Sequence, residues 1–186
     1  MKNFIDANFC SVDFTLGSLV LIAKKDNSEF SIIKEKFKNS ENFINVLLDF
    51  FNQHNIKIED FDFFMLNLGP GGFVGLRNIL SSLKTISLVK KIKILAFNNF
   101  QIFKTLVDTK KYDSVAVEVN NKFYVKKITD CDDYYSKFIL LSHADIDTDR
   151  IAKFSELPKY TYKNLLYILD NELFIDSKLF PIYENK

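Results

Sequence analysis

Apolar and polar residues alternate along the start of the chain in a pattern that predicts strands. Residues 11–16 and 18–23 are rich in Val, Leu, Ile and Thr, and residues 30–37 follow after an Asp-Asn-Ser turn. Runs of this composition bounded by turn residues are typical of strands. A shorter apolar run at 4–7 is predicted to end a strand, with a turn at Asp6. The chain therefore opens with three predicted antiparallel strands.

The next segment has the periodicity of a helix. Ser40 is predicted to be its N-cap, because a hydroxyl there can accept a hydrogen bond from the first turn. Val46 and Phe50 place apolar area on a second side of this helix. A helix with two apolar sides is expected to be buried on both of them. One side packs on its own core, and the other contacts either another part of the same domain or a partner protein. The main stripe has helical spacing and consists of Phe43, Ile44, Leu47, Leu48 and Phe51.

A second helix is predicted from the spacing within residues 75–86, with two contrasting sides. A buried strand at 61–68 and a glycine-rich stretch at 69–75 precede it. One side carries an apolar stripe, which predicts packing against a core. The opposite side is small and polar, so it either faces water or admits a second helix at close range. The stripe consists of Leu76, Ile79, Leu80, Leu83 and Ile86, and the small side of Gly75, Asn78, Ser82 and Thr85.

The remaining pattern predicts a second, smaller α/β region. A polar connection at 108–113 is the candidate boundary, which divides the chain into 1–108 and 109–186. Three antiparallel strands followed by strand–helix alternation indicate a mixed sheet with packed helices. The later predicted elements are a strand, a short helix, a hairpin about Asn120-Asn121 and a final helix, at 93–97, 100–107, 114–128 and 162–169.

Composition and charge exclude several classes of function. The chain is 47% hydrophobic and 26% charged with a net charge of +1, and no basic face suggests that it binds nucleic acid alone. The apolar run at 16–23 is too short to span a bilayer, and no signal peptide is evident, so we expect a cytoplasmic protein. The two Cys and two His residues lack the spacing of a metal site. We therefore expect no metal site and no catalytic constellation.

The stretch GPGGFVG at 69–75 holds four of the chain's five glycines. A strand, glycines and then a helix can direct free backbone N–H groups at an anion. Neither the GxxxxGK[ST] nor the GxGxxG pattern is present, however. The segment is therefore either a ligand loop or a tight structural turn, and Arg77 either anchors it or pairs with a partner carboxylate. The predicted turn residues are Gly69, Pro70, Gly71, Gly72, Phe73, Gly75 and Arg77.

Residues 69–77, GPGGFVGLR, resemble the GPGSFTGLR signature of the TsaB family, whose older name is YeaZ. These proteins are accessory subunits of bacterial threonylcarbamoyladenosine (t6A) synthesis on tRNA. Further segments are similar to the family's first strand and turn, its first helix start, its second-half hairpin and its C-terminal Pro-x-Tyr. They are FIDA at 4–7 with CSV at 10–12, Asn39-Ser40, residues 120–124 and residues 181–183.

The resemblance implies an actin-like ATPase fold, with two ribonuclease-H-like lobes of which the second is reduced. It implies a subunit without catalysis of its own, paired with the catalytic subunit TsaD and joined by the ATPase subunit TsaE. TsaD transfers threonylcarbamoyl to adenosine 37 of tRNA, so tRNA would be met only through the complex. An adenine nucleotide would bind at the subunit interface, and the chain alone would form a homodimer. The implied interface comprises Ser40, Phe43, Leu47, Phe50, Gly75, Asn78, Ser82 and Thr85.

A different function on the same fold is a small ATPase or kinase. Asp6 would then hold Mg²⁺ near a phosphate, and Gly69–Gly75 would serve as the phosphate loop. The plain alternative for Asp6 is a carboxylate that caps a turn. The enzyme also needs a second phosphate loop in the second lobe, where the Asn120-Asn121 turn is the only candidate. No glycine occurs beyond residue 75.

Overall fold

The computed structural model describes residues 4–147, 149–156 and 159–182, which form two compact units. One unit contains residues up to 96 together with those from 175 onward, and the other contains Phe97–Phe174. This division differs from the boundary predicted at residue 108. The short helix at 99–104 packs within the second unit, against its first strand and its last helix, and the chain returns to the first unit at its end.

The first unit is built on a five-stranded mixed sheet. The spatial order is β3-β2-β1-β4-β5, with β1 antiparallel to β2 and parallel to β4. Every residue of β1 and β4 is buried, as expected for central strands covered on both faces. The strands are β1 (Phe9–Asp13), β2 (Leu19–Lys25), β3 (Ser28–Lys34), β4 (Phe63–Asn67) and β5 (Lys93–Phe97).

The first strand does not lie where the apolar pattern predicted it. Phe4–Asp6 forms a short 3-10 turn, and β1 begins at Phe9 and ends at Asp13. Pairing decides this position, because Phe9 lies opposite both Lys24 of β2 and Phe63 of β4. The prediction of a strand end at Asp6 was therefore wrong, and the strand predicted over 11–16 coincides with β1 only at residues 11–13.

Two helices complete the first unit, α1 (Phe43–Gln53) and α2 (Phe73–Lys90). The second apolar side predicted for α1, Val46 and Phe50, is buried within the chain's own unit, whereas Leu48 of the predicted main stripe is 43% exposed and Ile44 is half-buried. Ser40 is not the N-cap of α1, because a 3-10 turn over Ser40–Asn42 intervenes. The buried residues of α1 are Phe43, Val46, Leu47, Phe50 and Phe51.

The second unit has a four-stranded sheet in the order β8-β7-β6-β9. The predicted hairpin is confirmed, since β6 pairs with β7 in antiparallel register and both Asn120 and Asn121 have positive φ. Across the described residues, no helix has the length and apolar character needed to cross a membrane. The elements are α3 (Asn99–Lys104), β6 (Ser114–Val119), β7 (Lys122–Lys127), β8 (Ile139–Leu141), β9 (Ile151–Lys153) and α4 (Tyr162–Asp170).

Candidate functional site

The glycine turn connects β4 to α2 beside the end of β1. The Gly72 N–H donates to the Thr15 carbonyl at 3.0 Å, and the Ile182 N–H donates to the Leu68 carbonyl at 2.7 Å. Gly69 has φ +106°, a conformation that favours glycine, and its peptide bond to Pro70 is cis. The turn is thus held between the end of the first strand and the returning C-terminal segment.

Close packing accounts for two of the glycines. A Cβ added at Gly71 would lie 2.4 Å from the Thr15 carbonyl oxygen, and one at Gly75 would lie 2.1 Å from the Phe14 ring. At Gly72, by contrast, a Cβ would meet nothing within 4 Å. The glycine concentration therefore serves the close approach of α2 and its turn to β1, which is the structural interpretation of the motif.

A buried carboxylate links the turn to both central strands. Asp13 is 7% exposed, and its Oδ1 accepts hydrogen bonds from the Thr15 N–H and hydroxyl, both at 2.8 Å. Its Oδ2 accepts from the Asn67 amide at 2.9 Å. The Asn67 Oδ1 in turn accepts from the Gly69 N–H at 3.0 Å. The ends of β1 and β4 and the first glycine are therefore joined by one network.

Asp6, the residue predicted to hold a metal or nucleotide, is not part of this site. It is exposed in the 3-10 turn before β1, whereas the glycine turn lies beyond the end of β1. A five-residue strand separates its ends by roughly 13 Å. Asp13 is the carboxylate at the first-strand end, and sequence reasoning missed it. The available signal was the buried run FCSV directly before it.

The chemistry seen at the turn is hydrogen bonding by Asp13, Thr15 and Asn67. Among the described residues, no cluster of three or more His, Cys, Asp or Glu side chains could hold a metal ion. Both thiols are free and buried, and burial raises the pKa of Cys131 to about 12 and that of Cys10 further. At neutral pH both are protonated, which removes their nucleophilic form.

The first half of the small side of α2 packs against another part of the same unit. Gly75 faces Phe14, and the Asn78 amide donates to the Ser40 hydroxyl at 3.0 Å. The Ser82 hydroxyl donates to the Asn78 carbonyl, and the Thr85 hydroxyl donates to the Ser81 carbonyl. Each of the two alternatives for this side therefore holds in one part of it: Gly75 and Asn78 approach Phe14 and the Ser40–Asn42 turn of the same unit, whereas Thr85 is exposed to solvent.

The residues implied as the interface on α1 belong to the core. Phe43 and Leu47 are fully buried and Phe50 is 1% exposed, so in the single chain they offer a partner no surface. Arg77 lies on the exposed face of α2, and the side chain of Phe73 lies outside the described set. The aliphatic side chains that are exposed on these helices are Leu48, Val74, Leu88 and Val89.

Sequence reasoning did not single out Val74, Leu88 and Val89, and it assigned Leu48 to the apolar stripe of α1. Val74 is 68% exposed, and Leu88 and Val89 are 82% and 71% exposed. The available signal was their position on the helix. All three fall outside the stripe formed by Leu76, Ile79, Leu80, Leu83 and Ile86.

No family model matches the chain, and no curated protein does. Its two mixed sheets with packed helices define an actin-like ATPase, ribonuclease-H-like fold. Among solved structures it is similar to an uncharacterized protein with similarity to peptidase YEAZ from Pseudomonas aeruginosa, with a TM-score of 0.71 and 9% identity over 96% of this chain and 100% of that one. It is also similar to YeaZ from Pseudomonas aeruginosa, with a TM-score of 0.63 and 10% identity over 95% and 99%. The predicted fold is confirmed, and the resemblance to YeaZ holds at the level of the fold.

Proposed function

We propose that this chain is a TsaB-like accessory subunit. It would bind a TsaD-like catalytic subunit and support threonylcarbamoyl transfer to adenosine 37 of tRNA without catalysing the transfer itself. The observation that carries the proposal is the YeaZ fold over nearly the whole chain. The GPGGFVGLR segment adds support, because it sits at the same strand-to-helix turn that the signature implies.

The surface proposed for the partner is the exposed aliphatic face of α1 and α2. Leu48 is 43% exposed, Val74 is 68% exposed and Val89 is 71% exposed. Exposed aliphatic side chains on helices favour protein contacts, and without the partner they favour self-association. A TsaE-like ATPase would join the pair, and tRNA would be bound by the complex rather than by this chain.

The kinase-like alternative loses its site in this geometry. It needed Asp6 beside the glycine turn, and the two lie at opposite ends of β1. Asp13, which is beside the turn, already accepts three hydrogen bonds from Thr15 and Asn67. We therefore favour a binding role for this unit over phosphoryl transfer.

The direct test mixes the purified chain with the TsaD-like protein of the same organism. Size-exclusion chromatography with light scattering should give a 1:1 complex. Val89→Asp and Val74→Asp should each break it, because a charge would be desolvated in the contact. Tyr135→Asp is the matched control, since Tyr135 is 70% exposed and lies in the second unit.

Two results would contradict the proposal. One is the absence of a complex at micromolar concentrations of both proteins. The other is nucleotide hydrolysis by the purified chain alone that is lost in Asp13→Asn. That result would support an enzyme whose essential carboxylate is Asp13 rather than Asp6. Circular dichroism of each variant shows whether a lost complex reflects the surface or a lost fold.

A further inference from the structure

A short apolar strand, β8, lies at one edge of the sheet in the second unit. The strand order is β8-β7-β6-β9, so β8 pairs with β7 on one side, and no described strand lies along its other side. Ile139 is 63% exposed and Leu140 is 37% exposed. An edge strand offers a row of backbone N–H and C=O groups with which another strand can pair. The outer edge of β8 therefore combines open backbone with exposed aliphatic side chains.

The edges of the sheet in the first unit differ from β8. The β3 strand contains Glu29 and Lys34, and charged side chains on an edge strand oppose pairing with a further strand. The β5 edge is partly closed, because Ala96 exchanges backbone hydrogen bonds with Ile175. The three residues of β8 are all uncharged, and no described segment closes its outer edge. Charge and coverage therefore leave β8 more open to pairing than these two edges.

The sequence of β8 is self-complementary in antiparallel register. A two-fold axis at Leu140 would place Leu140 opposite its own copy and Ile139 opposite Leu141 of the second copy, with opposed residues on one face. Ile139 and Leu141 share a face with Val125 and Phe123, their partners on β7. Leu141 already packs on the small core cluster of that face. The pairing would extend this cluster across the two-fold axis and cover the exposed Ile139.

The charges on either side of β8 complement one another in the same arrangement. Lys137 precedes the strand and is exposed, and none of the ion pairs among the described residues involves it. Asp145 follows in an exposed turn, where its Oδ2 accepts from the Ser142 hydroxyl at 2.5 Å, so its carboxylate lies beside the end of β8. In the antiparallel register Ser142 of one copy lies opposite Phe138 of the other, next to Lys137. Two Lys137–Asp145 pairs would then flank the aliphatic centre, whereas parallel pairing would place lysine beside lysine.

We propose that β8 is the contact of a weak symmetric dimer, in which two copies pair this strand in antiparallel register and join their sheets. Each copy contributes a strand of only three residues, so the contact is smaller than the roughly 1,200 Å² of a stable interface. The dimer therefore forms at high protein concentration, and the 1:1 stoichiometry expected with a TsaD-like subunit at micromolar concentration is unaffected. The contact shares no residue with the surface proposed for that subunit on α1 and α2.

The test is the mass of the full chain by static light scattering between about 10 and 500 µM. The mass should rise with concentration from that of a monomer toward twice that value. Lys137→Glu and Asp145→Lys should each raise the dimer dissociation constant at least about tenfold, because two like-charged contacts replace two oppositely charged ones. An equimolar mixture of these two variants should associate like the original chain, since each mixed pair regains both oppositely charged contacts.

Lys163→Glu is the matched control, because it makes the same charge change at an exposed site in the second unit, and it should leave the association unchanged. The loss caused by Lys137→Glu should also be seen in the Val89→Asp background, which removes contacts through the aliphatic face of α2. Circular dichroism shows that each variant is folded.

Three results would overturn the proposal. They are a mass that stays monomeric at every concentration, association that Lys137→Glu leaves intact, and two folded single variants whose mixture stays monomeric. None of these readouts involves the TsaD-like protein, so this proposal and the proposed function can fail separately.

Discussion

Two turns of this protein both contain residues with positive φ, but one turn is closely packed and the other is exposed. The glycine turn at Gly69–Gly72 is packed between β1 and the C-terminal segment, and an added Cβ at Gly71 has no room. The hairpin turn at Asn120-Asn121 also needs positive φ, but both residues are exposed. Of these two turns, one has glycine at a position where an added side chain would meet backbone, and the other has asparagine where only the dihedral angle constrains the residue.

Substitution in the packed glycine turn should cause the largest loss in the free energy of unfolding. Gly71→Ala places a methyl group against the backbone of Thr15, which cannot rotate away as a flexible side chain can. We expect a loss of about 3 kcal/mol in the free energy of unfolding, typical of overpacking. Urea denaturation of the purified variant measures it. Gly72→Ala is the matched control and should cost less than about 1 kcal/mol, because its Cβ would lie in open space.

If both glycine variants lost the same stability, close approach would not be the reason for glycine at residue 71. Gly75→Ala gives an independent check of the same idea. Its Cβ would meet the Phe14 ring rather than a backbone. The ring can move, so the loss should fall between those of the other two variants.

Loss of the Asp13 hydrogen-bond network should cause the second-largest loss in the free energy of unfolding. Asp13→Ala leaves the donors of Thr15 and Asn67 without their acceptor in a buried site, which costs about 2 kcal/mol. Asp13→Asn should cost about 1 kcal/mol, because its oxygen still accepts from Thr15 while its amide faces that of Asn67. Urea denaturation orders the three proteins. An Asp13→Ala variant as stable as the original chain would show that this hydrogen-bond network does not stabilise the packed turn.

Sequence pattern predicted those elements whose burial follows local periodicity. The stripe of α2 is where helical spacing placed it, with Leu76, Ile79, Leu80 and Leu83 buried. On α1 the spacing correctly placed Phe43, Leu47 and Phe51 in the core, but it also predicted burial of Leu48, which is exposed. The start of β1 was missed because the runs at 4–7 and 9–12 are similarly apolar, and only pairing with β4 distinguishes them. Ser40 was misassigned for the same reason, since its hydroxyl partner, Asn78, is 38 residues away.

The residues of the candidate site were likewise found where their signal is local in the sequence and missed where it is not. The glycine turn was found because its composition is unusual for this chain. Asp13 and the exposed residues Leu88 and Val89 were not found, because their roles depend on which strands and segments lie beside them. A single sequence records apolar spacing but not which side of a doubly apolar helix the rest of the chain covers.

Substitution in a third turn, Ile58–Asp60, should have an effect on stability of intermediate size. Ion pairs of its carboxylates with Lys25 and Lys90, rather than close packing, hold this turn. Hydrogen bonds from Lys90 and Lys25 lower the pKa of Glu59 and of Asp60 below their ordinary values of 4.5 and 3.8. A lowered carboxyl pKa contributes stability that is present above the ordinary value and is lost as pH falls through the lowered one. The urea midpoint of the original chain should therefore fall below about pH 4.5. Asp60→Asn should reduce that slope.

Lys110→Gln is the control for the acid titration, because Lys110 is exposed in the second unit and none of the salt bridges among the described residues involves it. It should leave the slope unchanged. An Asp60→Asn chain with the same acid slope as the original would show that the Lys25 contact does not tie this turn. Raising the ionic strength should weaken the effect, more at the exposed Lys90–Glu59 pair than at the half-buried Lys25–Asp60 pair.

The smallest effect is expected at the open turn. Asn121→Gly relieves the side chain from a positive φ of 61° but adds backbone freedom to the unfolded chain, and these two contributions oppose one another. Urea denaturation should therefore show a change within about 0.5 kcal/mol. Asn121→Val is the matched contrast, because a β-branched side chain is strained at positive φ, and it should cost about 1–2 kcal/mol. Equal tolerance of Gly and Val would mean that the hairpin re-forms with another turn, and that its dihedral angles do not constrain the residue.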